Sequence, residues 1–194
     1  MEQSQFSPKD SLQLIESMIN KAQNRFTENG HLYLLWGWVI FACSIAHFIL
    51  AYWKLFDKPY LVWFATWGAF IYQMIYLAKV KRNTGVKTYT DELINYVWLV
   101  FVAMMILVQF ILSKSGNWHL TYSAFLILYG MPTFLSGAII RFSPLRYGAF
   151  TCWLLAIASM FVDFHFHVLL LSLGVISAWI IPGYLLRLRS KNQN

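Results

Sequence analysis

An all-α membrane bundle of about six transmembrane helices, headed by an N-terminal cytosolic amphipathic helix, is the fold class this sequence predicts. Three observations predict it. Apolar residues dominate the composition, apolar runs of spanning length alternate with short polar turns, and the basic residues gather in every second turn. Of 194 residues, 59% are hydrophobic and 12% are charged, about half the charged share of an ordinary soluble domain. Nine Trp, eleven Tyr and sixteen Phe add aromatics of the kind that gather where a membrane meets water. The length accommodates one domain, most of it consumed by six spans of about 20 residues each.

Residues 1–30 read as a cytosolic segment with its own helix. Ser7-Pro8-Lys9-Asp10 supplies an N-cap, a proline for the first helical position and an acid near the helix start. Leu12, Ile15, Ile19, Ala22 and Phe26 then recur at three- and four-residue spacing, so one face is apolar. Asn29-Gly30 is the expected stop. Such a helix lies on the membrane surface, covers the end of the bundle or binds a partner. Leu12, Ile15, Ile19 and Phe26 are the candidate partner-binding residues. No short apolar core of a cleavable signal precedes span one, which is therefore expected to act as its own insertion signal.

The transmembrane region covers 31–187. Its spans are expected at 31–53, 60–80, 91–113, 118–140, 145–162 and 168–187, followed by a basic cytosolic tail at 188–194. Thr90-Asp91-Glu92 places a cap and acids where span three begins, matching the positive end of a helix. The formal charge of +7 does not point to nucleic acid, because the basic residues sit in short clusters between apolar runs. They are topology determinants and contacts for anionic lipid. Twelve fall on one side: Lys9, Lys21, Arg25, Lys79, Lys81, Arg82, Lys87, Arg141, Arg146, Arg187, Arg189 and Lys191. Lys54, Lys58 and Lys114 fall on the other. The bias predicts cytosolic N- and C-termini in a multi-pass protein.

Few residues offer chemistry. No Asp, Glu, Lys or Arg lies near the centre of any span, which argues against proton-coupled antiport, voltage sensing and a Schiff-base chromophore. Enzyme signatures are missing: no His-Glu-x-x-His, no Gly-x-Ser-x-Gly, no Cys-x-x-Cys and no phosphate-binding glycine loop. A non-enzymatic role is expected. Cys43 and Cys152 fall about 18 Å and about 10 Å into their spans, too different in depth for a disulfide. They are expected to act as small buried hydrophobes. Gln73 and Gln109 also sit at different depths, and each is expected to bond to a neighbouring helix.

Two constellations stand out. In span four, Gly130, Thr133 and Gly137 share a face that lets another helix approach closely. Pro132 within it is expected to kink the helix and free the carbonyl of Leu128. Pro182-Gly183 is expected to mark a kink or helix end in span six. Aromatic–glycine pairs recur at Trp36-Gly37, Trp67-Gly68, Tyr129-Gly130 and Tyr147-Gly148 and read as helix-packing composition. The second constellation is Val162-Asp163-Phe164-His165-Phe166-His167-Val168, in the outer turn before span six. If extended, it projects Asp163, His165 and His167 to one side; if helical, Asp163 and His167 still share a face. Two imidazoles and a carboxylate suit a divalent transition metal. His119 and His47 reach the same side, so these five residues form a candidate metal site. An ordinary interfacial turn is the alternative.

The apolar start Ser11-Leu12-x-Leu14-Ile15-Glu16-x-Met18-Ile19, the Leu34-Leu35-Trp36-Gly37 opening of span one, and Ile181-Pro182-Gly183-Tyr184-Leu185-Leu186-Arg187 closing span six carry a resemblance. The chain resembles a family of small multi-spanning bacterial inner-membrane proteins. That resemblance implies a cytoplasmic-membrane setting and no particular activity. The function expected is a sensor, scaffold or partner-binding protein working through the N-terminal helix and the 81–90 loop. The alternative is a transporter or channel for a small neutral solute or a metal ion.

Overall fold

The structure is a computed structural model that describes residues 30–83 and 89–191, with the backbone alone at 80–83, 89, 91 and 190. It is all-helical, with 91% of residues in helices and no strands among those described. The expected N-terminal helix, with Leu12, Ile15, Ile19 and Phe26, lies outside the described residues.

Helix α1 spans His31–Tyr52. It starts at Gly30, whose φ of +55° suits a residue without a Cβ. Its buried positions Tyr33, Leu34, Gly37, Ile40, Cys43 and Ser44 recur at helical spacing, so one stripe faces the core. After a turn through Lys54, a 3₁₀ segment at Pro59–Phe64 leads into α2, Ala65–Asn83. Helix α3 is Tyr89–Ser115. A second 3₁₀ turn, Trp118–Leu120, precedes α4, Thr121–Ile139.

The turn from α4 to α5 (Ser143–Ala158) closes through two backbone bonds, Phe142 N to Gly137 O at 2.8 Å and Arg141 N to Ala138 O at 3.2 Å. With Arg141 at a φ of +52°, this is a Schellman stop carrying arginine at the left-handed position. Phe142 is buried and lies under the Arg189 guanidinium, 5.9 Å from the ring centre. A 3₁₀ turn at Ser159–Phe161 ends α5.

Helix α6, Phe164–Val175, passes through a π-helical stretch, Ile176–Ile180, into α7, Ile181–Lys191. Pro182 has no N–H to give to the carbonyl four residues back, and its ring crowds that carbonyl. The bond pattern shifts by one residue instead: Ile181 N–H bonds to Ile176 O. The backbone therefore continues, and the expected kink or end at Pro182-Gly183 is a π-bulge inside one long helix.

Helices α1, α4, α5 and the α6–α7 unit form the packed body, with α4 and α5 as a tight antiparallel hairpin. Leu126, Leu145, Leu171, Val175, Cys152 and Ala149 at its heart are essentially inaccessible. Helix α3 packs on α4, and α2 packs on α1. Both are peripheral: among the described side chains of α3 Ile94 alone is buried, against ten residues of α4. Among the described residues, five segments are long and apolar enough to cross a membrane. Helix α5, expected to span at 145–162, has 16 residues, about 24 Å of α-helix against a hydrocarbon core of ~30 Å.

Gly30 and Gly183 bring the start of α1 and the start of α7 together. A Cβ on Gly30 would lie 2.3 Å from the Gly183 carbonyl oxygen. That end of the bundle, called the near end below, also holds the α4–α5 turn. His47, the Pro59–Phe64 turn, the start of α4 and the start of α6 lie at the far end.

Candidate functional site

The far end gathers the polar side chains that α1, α4 and α6 bring inward. Trp63, at the end of the 3₁₀ segment, donates its indole N–H to Nδ1 of His47 at 3.1 Å. An indole nitrogen can only donate, so Nδ1 must present its lone pair. The neutral ring then carries its proton on Nε2, which faces the Tyr122 hydroxyl oxygen at 3.4 Å. Tyr122 is buried, its ring 6.0 Å from that of Phe164, and Phe164 in turn lies 5.6 Å from His167. One continuous aromatic patch therefore caps the core at this end.

His167 is buried, and its Nε2 lies 2.9 Å from the Val162 carbonyl oxygen. A carbonyl only accepts, so Nε2 is the protonated nitrogen and Nδ1 keeps the lone pair. That Nδ1 is buried and has no partner among the described residues.

The turn is not extended along its length. Val162 and Asp163 are, but helix α6 begins at Phe164, with Asp163 at the N-cap position and its carbonyl accepting from Phe166 N. Two residues apart on a helix point about 200° away from each other, so His165 and His167 diverge. His165 and Asp163 are exposed, and His119, in the Trp118–Leu120 turn, is exposed as well. Both ring nitrogens of His47 are engaged. The structure thus does not bring Asp163, His165, His167, His119 and His47 together. Among the described residues, no group of three or more His, Cys, Asp or Glu side chains is placed to hold a metal ion.

The centre of the bundle is filled by rings. Trp179, in the π stretch, lies 4.6 Å from Tyr129 of α4 and 6.1 Å from Trp98 of α3. Trp98 continues the chain to Tyr33 of α1 at 5.9 Å, and Phe101 meets Tyr129 at 5.8 Å. Trp179 donates its indole N–H to the Thr133 hydroxyl at 2.9 Å, and Thr133 donates onward to the Tyr129 carbonyl at 2.7 Å. A buried threonine that bonds back four residues is a common way to satisfy a hydroxyl inside a helix.

The small face of α4 divides its work. Gly130 and Gly137 receive α5: a Cβ on Gly130 would lie 2.2 Å from the Trp153 indole nitrogen, and one on Gly137 would lie 2.8 Å from the Leu145 Cβ. Trp153 also donates to the Ile127 carbonyl at 3.2 Å. Thr133 serves the π stretch instead. Helix α4 runs unbroken through buried Pro132. The π bulge is seated between two further glycines. A Cβ on Gly148 would meet the Ser177 carbonyl oxygen at 2.4 Å, and one on Gly37 would meet Ile180 at 2.7 Å. The aromatic–glycine pairs at 36–37 and 147–148 were the sequence signal for these two seats, but nothing local said what would occupy them.

The remaining polar groups are mostly paired. Gln73 accepts from the Trp36 indole, joining α2 to α1 as expected. Ser123 and Ser159 bond at 2.7 Å across the α4–α5 hairpin. Cys43 Sγ faces the Val62 carbonyl and Cys152 Sγ faces the Gly174 carbonyl, both at 3.6 Å, and both thiols are free and buried. Gln109 Oε1, Ser44 Oγ, Thr121 Oγ1 and Ser136 Oγ are buried without a partner among the described residues. No known protein family matches this chain, and neither does any curated protein or solved structure.

Proposed function

We propose that this chain is a six-span protein of the bacterial cytoplasmic membrane, with both termini in the cytosol, that acts as a non-enzymatic sensor or scaffold. Its partner contacts lie in the N-terminal segment and the 81–90 loop. One observation carries the reading: the ring cluster of Tyr33, Trp98, Tyr129 and Trp179 occupies the centre of the bundle. A solute passing along the axis would have to displace Trp179, which is both stacked on Tyr129 and bonded to Thr133. Transport stands second for that reason.

The sixth crossing rests on α5. Its tight turn from α4 and its antiparallel packing against α4 return the chain toward the far end, where α6 begins. The 3₁₀ turn at Ser159–Phe161 adds about 6 Å to the ~24 Å of α5. Cytosolic termini follow from the twelve-to-three distribution of basic residues, and the bacterial setting from the resemblance described above.

Photo-crosslinking from Leu12, Ile15, Ile19 and Phe26 in native membranes tests the partner reading. A discrete adduct with another protein is expected, lost in an Ile15→Asp, Ile19→Asp double variant that still inserts. Adducts solely within the chain's own bundle would make the segment a structural cover and end the proposal. Flux of Zn²⁺ or glycerol into proteoliposomes above the empty-vesicle rate would move transport to first place.

A further inference from the structure

The turn that opens α2 is lightly held. No residue of Pro59–Phe64 is buried, and Ala69 is the one buried side chain among those described in α2. Side-chain bonds do the fastening. Gln73 to Trp36 and Tyr72 to His31 tie the middle of α2 to α1. At the far end the tie is Trp63 to His47, with a weak second contact from the Cys43 thiol to the Val62 carbonyl.

Of these ties, the Trp63 bond alone is abolished by one added proton. The indole can only donate, so it needs the Nδ1 lone pair of His47, and a second proton on that ring sets N–H against N–H. The Nε2–H faces the Tyr122 oxygen in either state. His31 also gains a proton in acid, but its partner Tyr72 is a hydroxyl that accepts as readily as it donates, so that bond survives. A charged His47 finds no counter-charge nearby. Neither α1, α4 nor the Pro59–Phe64 turn contains an Asp or Glu. Tyr122 is the titratable group in contact with it. On α6, His167 stands behind the Phe164 ring, while Lys54, Asp57, Lys58 and Asp163 at this end are exposed. An uncompensated cation is driven toward water, and His47 is only half-buried.

We propose that His47 is a proton switch: its protonation breaks the Trp63 bond and frees the Pro59–Phe64 turn, so that the far end of α2 swings out about the Gln73–Trp36 tie. Histidine is the side chain that ordinarily changes charge between about pH 5 and 8, so acid on the far side of the bundle is the stimulus. Helix α2 runs on into the 81–90 loop. That the motion serves this loop rests on the sensor reading above, whereas the switch itself rests on the bond between Trp63 and His47.

The test uses the full chain in lipid vesicles, spin-labelled through Tyr60→Cys in the turn and Trp118→Cys before α4. Both positions are exposed, and the native Cys43 and Cys152 are buried. The distance between the labels is expected to shift to longer values from pH 7.5 to pH 4.5. In His47→Asn an amide oxygen takes the place of Nδ1 as acceptor and does not titrate, so the pH 7.5 distance is expected at both pH values. Trp63→Phe lacks the donor and is expected to show the acid distance already at pH 7.5. The two variants thus fix opposite ends of the switch, and neither depends on the other folding. A label distance in the unsubstituted bundle that ignores pH overturns the proposal. So does a His47→Asn chain that shifts with acid as strongly. No partner enters this readout, so its failure leaves the partner reading standing, and a missing adduct from the N-terminal segment leaves the switch standing.

Discussion

Trp63 donates its indole N–H to Nδ1 of His47 at 3.1 Å, fastening the turn before α2 to the far end of α1. The bond fixes the histidine as the Nε2-protonated tautomer, because an indole cannot accept. Nitrogen-15 spectra of histidine-labelled protein at pH 7.5 are expected to show that tautomer for His47. Replacing His47 with Leu strands the Trp63 donor and is expected to cost about 1–3 kcal/mol in reversible unfolding, whereas Trp63→Phe, which removes the donor and keeps an aromatic ring in its place, costs about 1 kcal/mol. Equal losses from both would show that the bond is not made.

Gly148 of α5 and Gly68 of α2 are expected to respond oppositely to alanine. Gly148→Ala places a methyl against the Ser177 carbonyl and the Ala178 Cα, both backbone atoms of the π bulge that cannot swing aside. Overpacking of this kind costs about 1–3 kcal/mol. Gly68→Ala meets nothing within 4 Å and is expected to be neutral or to stabilise α2 by up to ~1 kcal/mol, the helix preference of alanine over glycine. Thermal unfolding in detergent separates the two.

Thr133 is the hinge of the central hydrogen-bond chain. Thr133→Val keeps the shape and leaves the buried Trp179 N–H without an acceptor. A loss of about 1 kcal/mol is expected, above the ~0.6 average for interhelical bonds in membranes and within the range for a stranded donor. Thr133→Ser is expected to retain most of the stability. Combining Thr133→Val with Trp179→Phe is expected to cost less than the sum of the single changes, since the second removes the stranded donor. Strict additivity would place the two residues in separate environments.

Topology is checked in intact cells. With Cys43 and Cys152 buried, cysteines at Asn83 and Gln193 are expected to resist an impermeant thiol reagent, and one at Asn117 to react. Labelling at Asn83 from outside would reverse the orientation or remove a crossing.

The long apolar helices were legible because each is a local property. Length and apolar composition mark such a helix without knowledge of its neighbours, and α1, α3 and α4 begin and end within a few residues of the expected bounds. Small residues in span four signalled close approach for the same reason, since a missing side chain is visible without knowing what fills the gap. The identity of the neighbour was not. Only the packed helices decided that Gly130 and Gly137 take α5 while Thr133 takes Trp179, and that Gly37 and Gly148 seat a π bulge. They decided, too, that His47 turns to Trp63 and Tyr122 rather than toward Asp163, His165 and His167. Those outcomes depend on distances between residues far apart in the chain, such as Gly37 and Ile180 or His47 and Tyr122. Periodicity reaches one or two helical turns, and contacts of that range are set by how whole helices share the available volume.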